Sequence, residues 1–310
     1  MPDSTDPARI VRSVPVPVPV PAGDVSRLAV GVVGAGTLGL SVAQCLAAAG
    51  HDVTVVESTA DVLAGAPDRL RAGIRMAVML RRAAADGVAE TVARIRFSDD
   101  LGDLAGASFV FECARGSIAV TEDLVRSLGA VVPASTVIAT CTSAVPVELL
   151  GRQIPSPDRL LGMLFVNPVH ANDAVEVVRA KDTSTETLAR AHALLHSLGK
   201  QGTIVHDAPG FVSDRLAHVA YNDAAGAVRA GAADAATVDR IFQERFGHAT
   251  GPLRTADLIG LDTVADTLYV LHRLTGDERF APCEQLTDLV AAGKLGRKSG
   301  EGFHRYAPTG

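Results

Sequence analysis

Two periods of apolar residues organise the chain. Short runs rich in valine and isoleucine recur at LAVGVVG (28–34), VTVVE (53–57), RIRF (94–97), SFVFEC (108–113), TVIATC (136–141), LLGMLFV (160–166), VEVVRA (175–180) and TIVHD (203–207), and each predicts a strand. Between them the apolar spacing is helical, first over 37–50, which ends on Gly50, then over a long amphipathic stretch at 59–85. Strands alternating with helices predict an open, mostly parallel sheet covered on both faces. After APGF (208–211) the pattern becomes helical throughout, at about 212–230, 234–246, 253–274 and 281–293. The expected fold class is therefore α/β, a Rossmann-type doubly wound sheet over 28–207 followed by an all-helical domain over 208–310. The leader, residues 1–27, contains VPVPVPVP and is expected to be an extended, polyproline-like tail outside the fold.

Composition narrows the function classes. The chain of 310 residues is 47% apolar and 21% charged, with a formal net charge of −6. That charge argues against nucleic acid as a partner. No apolar run reaches the ~18 residues of a membrane span. The leader lacks the uninterrupted apolar core of a secretion signal, so a cytosolic location is expected. The cysteines, Cys45, Cys113, Cys141 and Cys283, form no CxxC pair and no zinc-like cluster, so no metal is expected and the thiols read as reduced.

The sharpest motif is GAGTLG (34–39), set between the first strand and the first helix. Gly34 permits the turn, Gly36 lets a pyrophosphate approach the backbone, and Gly39 allows close packing of helix on strand. Thr37 and Leu38 open the helix whose free N–H groups face the phosphates. Glu57 ends the second strand 18 residues after Gly39, where a carboxylate accepts ribose hydroxyls and repels a 2′-phosphate. NAD is thus favoured over NADP as the cofactor.

Four blocks give the chain a resemblance to the 3-hydroxyacyl-CoA dehydrogenase family from about Leu28 to Tyr306. They are GAGTLG with GHDVTVVE (50–57), TCTSAV (140–145), GMLFVNPVHANDAVEVV (162–178), and APGFVSDR (208–215) with GPLRTADLIGLD (251–262) and GRKSGEGF (296–303). The resemblance implies an NAD-binding domain, a helical domain that forms a homodimer, and reversible oxidation of the 3-hydroxyl of an acyl thioester. It places the family's substrate-hydroxyl serine on Ser143, its histidine-orienting glutamate on Glu176, and nucleotide contacts on Asn167 and Lys298. Two cofactor-side positions differ, Gly116 for a glutamate and Thr121 for a lysine. The catalytic histidine falls on Leu164, and the active-site asparagine falls on Asp214. Three residues are candidates to replace the lost base: His170, just past Asn167-Pro168, Asp214 and Glu176. A carboxylate beside Leu164 is expected to have a raised pKa. Arg69, Arg71, Arg75, Arg81 and Arg82 on the long helix suit the phosphates of acyl-CoA or the acidic surface of an acyl-carrier protein. The block FGHATGPLRTADLIGLDT (246–263) resembles the branch that oxidises carrier-protein thioesters while making methoxymalonyl extender units for polyketides. A dehydrogenase of a free hydroxy acid is an alternative, and a binding protein that holds NAD or a thioester without turnover is another.

Overall fold

The computed structural model describes residues 27–84, 86–114, 116–142 and 145–307. Residues 1–26 of the leader and Ser143 therefore lie outside the described residues, whereas Arg27, expected to belong to the leader, is tied to the fold by its ion pair with Asp52 at 2.8 Å. The first unit is an eight-stranded sheet in the order β3-β2-β1-β4-β5-β6-β7-β8. Its strands are β1 (Ala29–Val33), β2 (Asp52–Val56), β3 (Ile95–Ser98), β4 (Phe109–Glu112), β5 (Val137–Thr140), β6 (Leu160–Phe165), β7 (Ala174–Arg179) and β8 (Gln201–His206). All neighbouring pairs are parallel except β6 with β7. Strand order reverses between β1 and β4, which opens a crevice outside the carboxyl ends of the strands.

Alternation along each strand sorts side chains onto two faces. One face packs Phe109, Phe111, Met163 and Phe165 against helices α1 (Thr37–Ala48), α2 (Ala60–Met79) and α6 (Thr185–Ser197). The other packs Val110, Ile138, Leu164 and Val178 against α4 (Ile118–Val131) and α5 (Val147–Gly151). A short helix, α3 (Val88–Ala93), completes the edge before β3.

The helical unit comprises α7 (Ser213–Arg229), α8 (Ala235–Phe246), α9 (Pro252–Ile259), α10 (Leu261–Thr275) and α11 (Glu284–Ala291). The single helix expected over 253–274 is two helices. Gly260 at φ 106 turns the chain between them, a backbone conformation that a side chain resists. Buried carboxylates hold this unit at long range. Asp239 accepts the N–H groups of Leu253 and Arg254, and Asp257 accepts those of Phe303 and His304.

Candidate active site

The glycine-rich turn has the shape a pyrophosphate requires. Gly34 has φ 99, and a Cβ there would lie 2.9 Å from the backbone of Ala114. A Cβ on Gly39 would lie 1.9 Å from the Gly34 carbonyl oxygen, so only glycine lets α1 start this close to β1. A Cβ on Gly36 would meet nothing within 4 Å; it would project into the space in front of the turn. Gly36 is the N-cap of α1, and no side chain caps that helix end. Thr37 is exposed and Leu38 half-buried in its first turn. These features fit a dinucleotide phosphate.

Glu57 follows β2 and is half-buried. Its two oxygens accept the N–H groups of Ala35 at 3.0 Å and Thr59 at 2.9 Å. The carboxylate is thereby fixed beside the turn, with lone pairs left for hydroxyl donors. Arg69 reaches back from α2 to the carbonyl of Ala35 at 3.1 Å, which steadies the same turn. Asn167 is exposed just beyond the carboxyl end of β6. Lys298 lies in the helical unit, where its ammonium binds Asp262 at 2.5 Å.

The catalytic candidates divide by sheet face. Leu164 on β6 stands directly opposite Glu176 on β7. Glu176 is 8% exposed and accepts the N–H groups of Val212 at 2.7 Å and Ser213 at 3.0 Å. Both oxygens therefore anchor the N-terminus of α7, and a proton on either would weaken one of those bonds. Asp214, the next residue, is half-exposed in the first turn of α7, and its backbone carbonyl meets the His218 ring at 2.8 Å. Burial, then the charge of Asp214, pushes the Tyr221 hydroxyl up to about 12. Leu164 and Glu176 are thus paired across the strands, and Glu176 holds the backbone immediately before Asp214.

His170 is not brought to this group. The turn that carries it packs against α1, with the Val169 N–H donating to Ser41 Oγ at 3.0 Å. Burial, then the charges of Lys200 and Arg82, lower the His170 pKa, and both ring nitrogens are buried without a hydrogen-bond partner among the described residues. The pleat explains the placement: Phe165 and Val169 enter the core on the α1 face, while Leu164 enters the opposite one.

Sequence reasoning passed over Glu112, the last residue of β4. It is fully buried and accepts the Thr140 hydroxyl at 2.8 Å and the Ala114 N–H at 2.9 Å. Burial pushes its pKa up to about 7, against the lowering effect of those two bonds. The available signal was an acidic residue closing an otherwise apolar run, FVFE.

On α2, Arg71 pairs with Asp68, while Arg81 and Arg82 follow the helix end beside exposed Met76, Met79 and Leu80. Among the described residues no His, Cys, Asp and Glu group of three or more is placed to hold a metal ion. No helix among them is long and apolar enough to cross a membrane.

Comparison with known proteins establishes the family. Residues 29–208 match the family model for the 3-hydroxyacyl-CoA dehydrogenase NAD binding domain, and residues 210–306 match the model for the C-terminal domain. A probable 3-hydroxybutyryl-CoA dehydrogenase of Deinococcus radiodurans is 37% identical over 279 residues, covering 89% of this chain and 99% of the relative. The crystal structure of FadB2 from M. tuberculosis aligns with a TM-score of 0.85 at 33% identity, over 90% of this chain and 98% of that one. That of (S)-3-hydroxybutyryl-CoA dehydrogenase PaaH1 from Ralstonia eutropha aligns with a TM-score of 0.81 at 31% identity, over 90% and 99% of the two chains. The chain belongs to the 3-hydroxyacyl-CoA dehydrogenase family, oxidoreductases that act on a CH–OH group with NAD as the cofactor.

Proposed function

We propose that the protein oxidises the 3-hydroxyl of an acyl thioester, with Asp214 receiving the hydroxyl proton in place of the imidazole that Leu164 displaces. The observation that carries this reading is the local assembly. Leu164 faces Glu176, Glu176 binds the first turn of α7, and that turn presents Asp214. Bound NAD supplies the hydride acceptor. Glu57 and the first turn of α1 hold the cofactor, with Asn167 and Lys298 as further contacts. Ser143, three residues after the end of β5, is assigned to orient the substrate hydroxyl. Glu176 acts by fixing α7. His170 faces the α1 side and is a weaker candidate for proton transfer.

Arg75, Arg81 and Arg82 favour an anionic carrier for the acyl group. CoA is the simpler choice, and the block at 246–263 favours a carrier-protein thioester from specialised polyketide metabolism. Exposed Leu216, Ile241, Phe246, Leu258, Ile259 and Tyr269 support a homodimer through the helical unit. We place the domain boundary between β8 and α7, near residue 207. Four free thiols are in keeping with a cytosolic location.

The test is NADH formation with hydroxyacyl-CoA, hydroxyacyl-carrier-protein and free hydroxy-acid substrates. A positioned general base contributes about 10²–10⁴ in rate, so Asp214→Asn is expected to lose ~10²-fold or more in kcat. Leu164 also favours a second reading, a protein that binds without turnover. A silent native protein made active by Leu164→His establishes that second reading. Native turnover lost only in His170→Ala assigns the proton to the histidine.

A further inference from the structure

Glu112 closes β4 at the point where strand order reverses, and its fully buried carboxyl lies beneath the crevice end of the sheet, bonded to the Ala114 N–H where that backbone packs against Gly34 of the glycine-rich turn. Register places it on a row with Thr140 of β5 and Gly162 of β6. Two residues beyond Gly162 on the same face is Leu164, opposite Glu176. Glu112 therefore points to the face that carries the proposed chemistry, and away from α1. Among the described residues its surroundings are neutral. β5 contributes the Thr140 hydroxyl and β1 contributes Val33, while the thiols of Cys113 and Cys141, each one residue past its strand, lie on the α1 face. The hydrogen bond with the Cys113 thiol, then burial, hold Cys141 as a thiol, and no basic side chain faces Glu112 among the described residues. The Ala114 N–H and the Thr140 hydroxyl are the only groups bonded to the carboxyl among those residues.

We propose that Glu112 sets the preference between the two redox states of the cofactor, favouring the positively charged oxidised ring over the neutral reduced ring when it is ionised. The inference rests on NAD as the cofactor. Both redox states carry the same pyrophosphate and adenosine, so their difference isolates the ring charge. A buried carboxylate beside a cation is attracted to it more strongly than it would be in water. The pKa of about 7 puts the change of charge in the physiological range. By linkage, binding NAD+ lowers the Glu112 pKa and releases a proton, whereas binding NADH does not. NAD+ affinity is therefore expected to rise with pH through the neutral range, and NADH affinity is expected to stay flat.

The experiment is titration calorimetry of the full chain with NAD+ and with NADH at pH 6, 7 and 8. The expected result is an approximately tenfold gain of NAD+ affinity relative to NADH, the equivalent of one pKa unit. Glu112→Gln keeps an acceptor for the Ala114 N–H and removes the charge, so the ratio of affinities is expected to become independent of pH. Thr140→Val removes the donor that favours the ionised form, so the rise is expected to move to higher pH. Parallel pH profiles for the two cofactors in the native protein overturn the proposal, and so does a pH-dependent ratio that survives in Glu112→Gln. If Glu112→Gln does not fold, repeating the native titrations at pH 7 in two buffers of different ionisation enthalpy decides the matter. Proton release with NAD+ alone supports the proposal, and equal proton exchange with both cofactors overturns it. Failure to bind either cofactor would refute the cofactor assignment itself, a separate outcome.

Discussion

Truncating Glu176 to alanine tests the structural half of the candidate site. Its two oxygens accept the N–H groups of Val212 and Ser213, at 2.7 and 3.0 Å, in a side chain that is 8% exposed. A net hydrogen bond to a charged group is worth about 1.5–3 kcal/mol. Loss of an N-cap side chain costs about 0.5–2 kcal/mol. The two bonds share one carboxylate, so their contributions overlap, and Glu176→Ala is expected to cost about 3–4 kcal/mol. At this chain length each kcal/mol lowers Tm by about 2–4 °C, which predicts a fall of about 6–16 °C by differential scanning calorimetry. Glu176→Gln retains one acceptor and is expected to fall roughly half as far. Amide exchange at Val212 and Ser213 is expected to quicken in the alanine variant before the rest of α7 responds. An alanine variant that melts within about 2 °C of native, with unchanged exchange at those amides, would show that Glu176 does not hold the helix.

Two further outcomes follow from the fold. Glu57→Ala removes the acceptor of the Ala35 N–H and the negative charge beside the turn, so NADH binding is expected to weaken and the gap to NADPH to narrow by calorimetry; equal native affinities for the two would refute the assignment of Glu57. The exposed apolar residues of the helical unit predict a dimer mass by light scattering at micromolar concentration, and a single-chain mass would refute it.

Much of the nucleotide half was legible in the sequence because its signals are local. β1, the glycine turn and α1 occupy one short stretch, and Glu57 is placed by the length of a single βαβ unit. The break between α9 and α10 was harder to see, since helical spacing continues across Gly260 and the reason for the turn is its backbone geometry. The positions of His170 and Glu112 depend on partners far away in sequence. The His170 turn is drawn to the α1 side where the Val169 N–H meets Ser41, 128 residues earlier. Glu112 becomes a buried acid because Thr140 on the next strand, 28 residues later, supplies its donor. Likewise, no periodicity marks Asp239 or Asp257, whose targets are backbone amides brought near only by the finished packing of the helical unit.

The pairing of Leu164 with Glu176 has a consequence for how this site can change. A buried glutamate whose sole partner was an imidazole would be stranded when the imidazole was replaced by leucine, at a cost of about 3–5 kcal/mol. Here the glutamate is satisfied by the end of a helix, whatever stands opposite it on β6. The residue that maintains the architecture and the residue open to chemical substitution are therefore different ones. Position 164 can exchange a base for an apolar side chain, or the reverse, while the sheet and α7 stay docked.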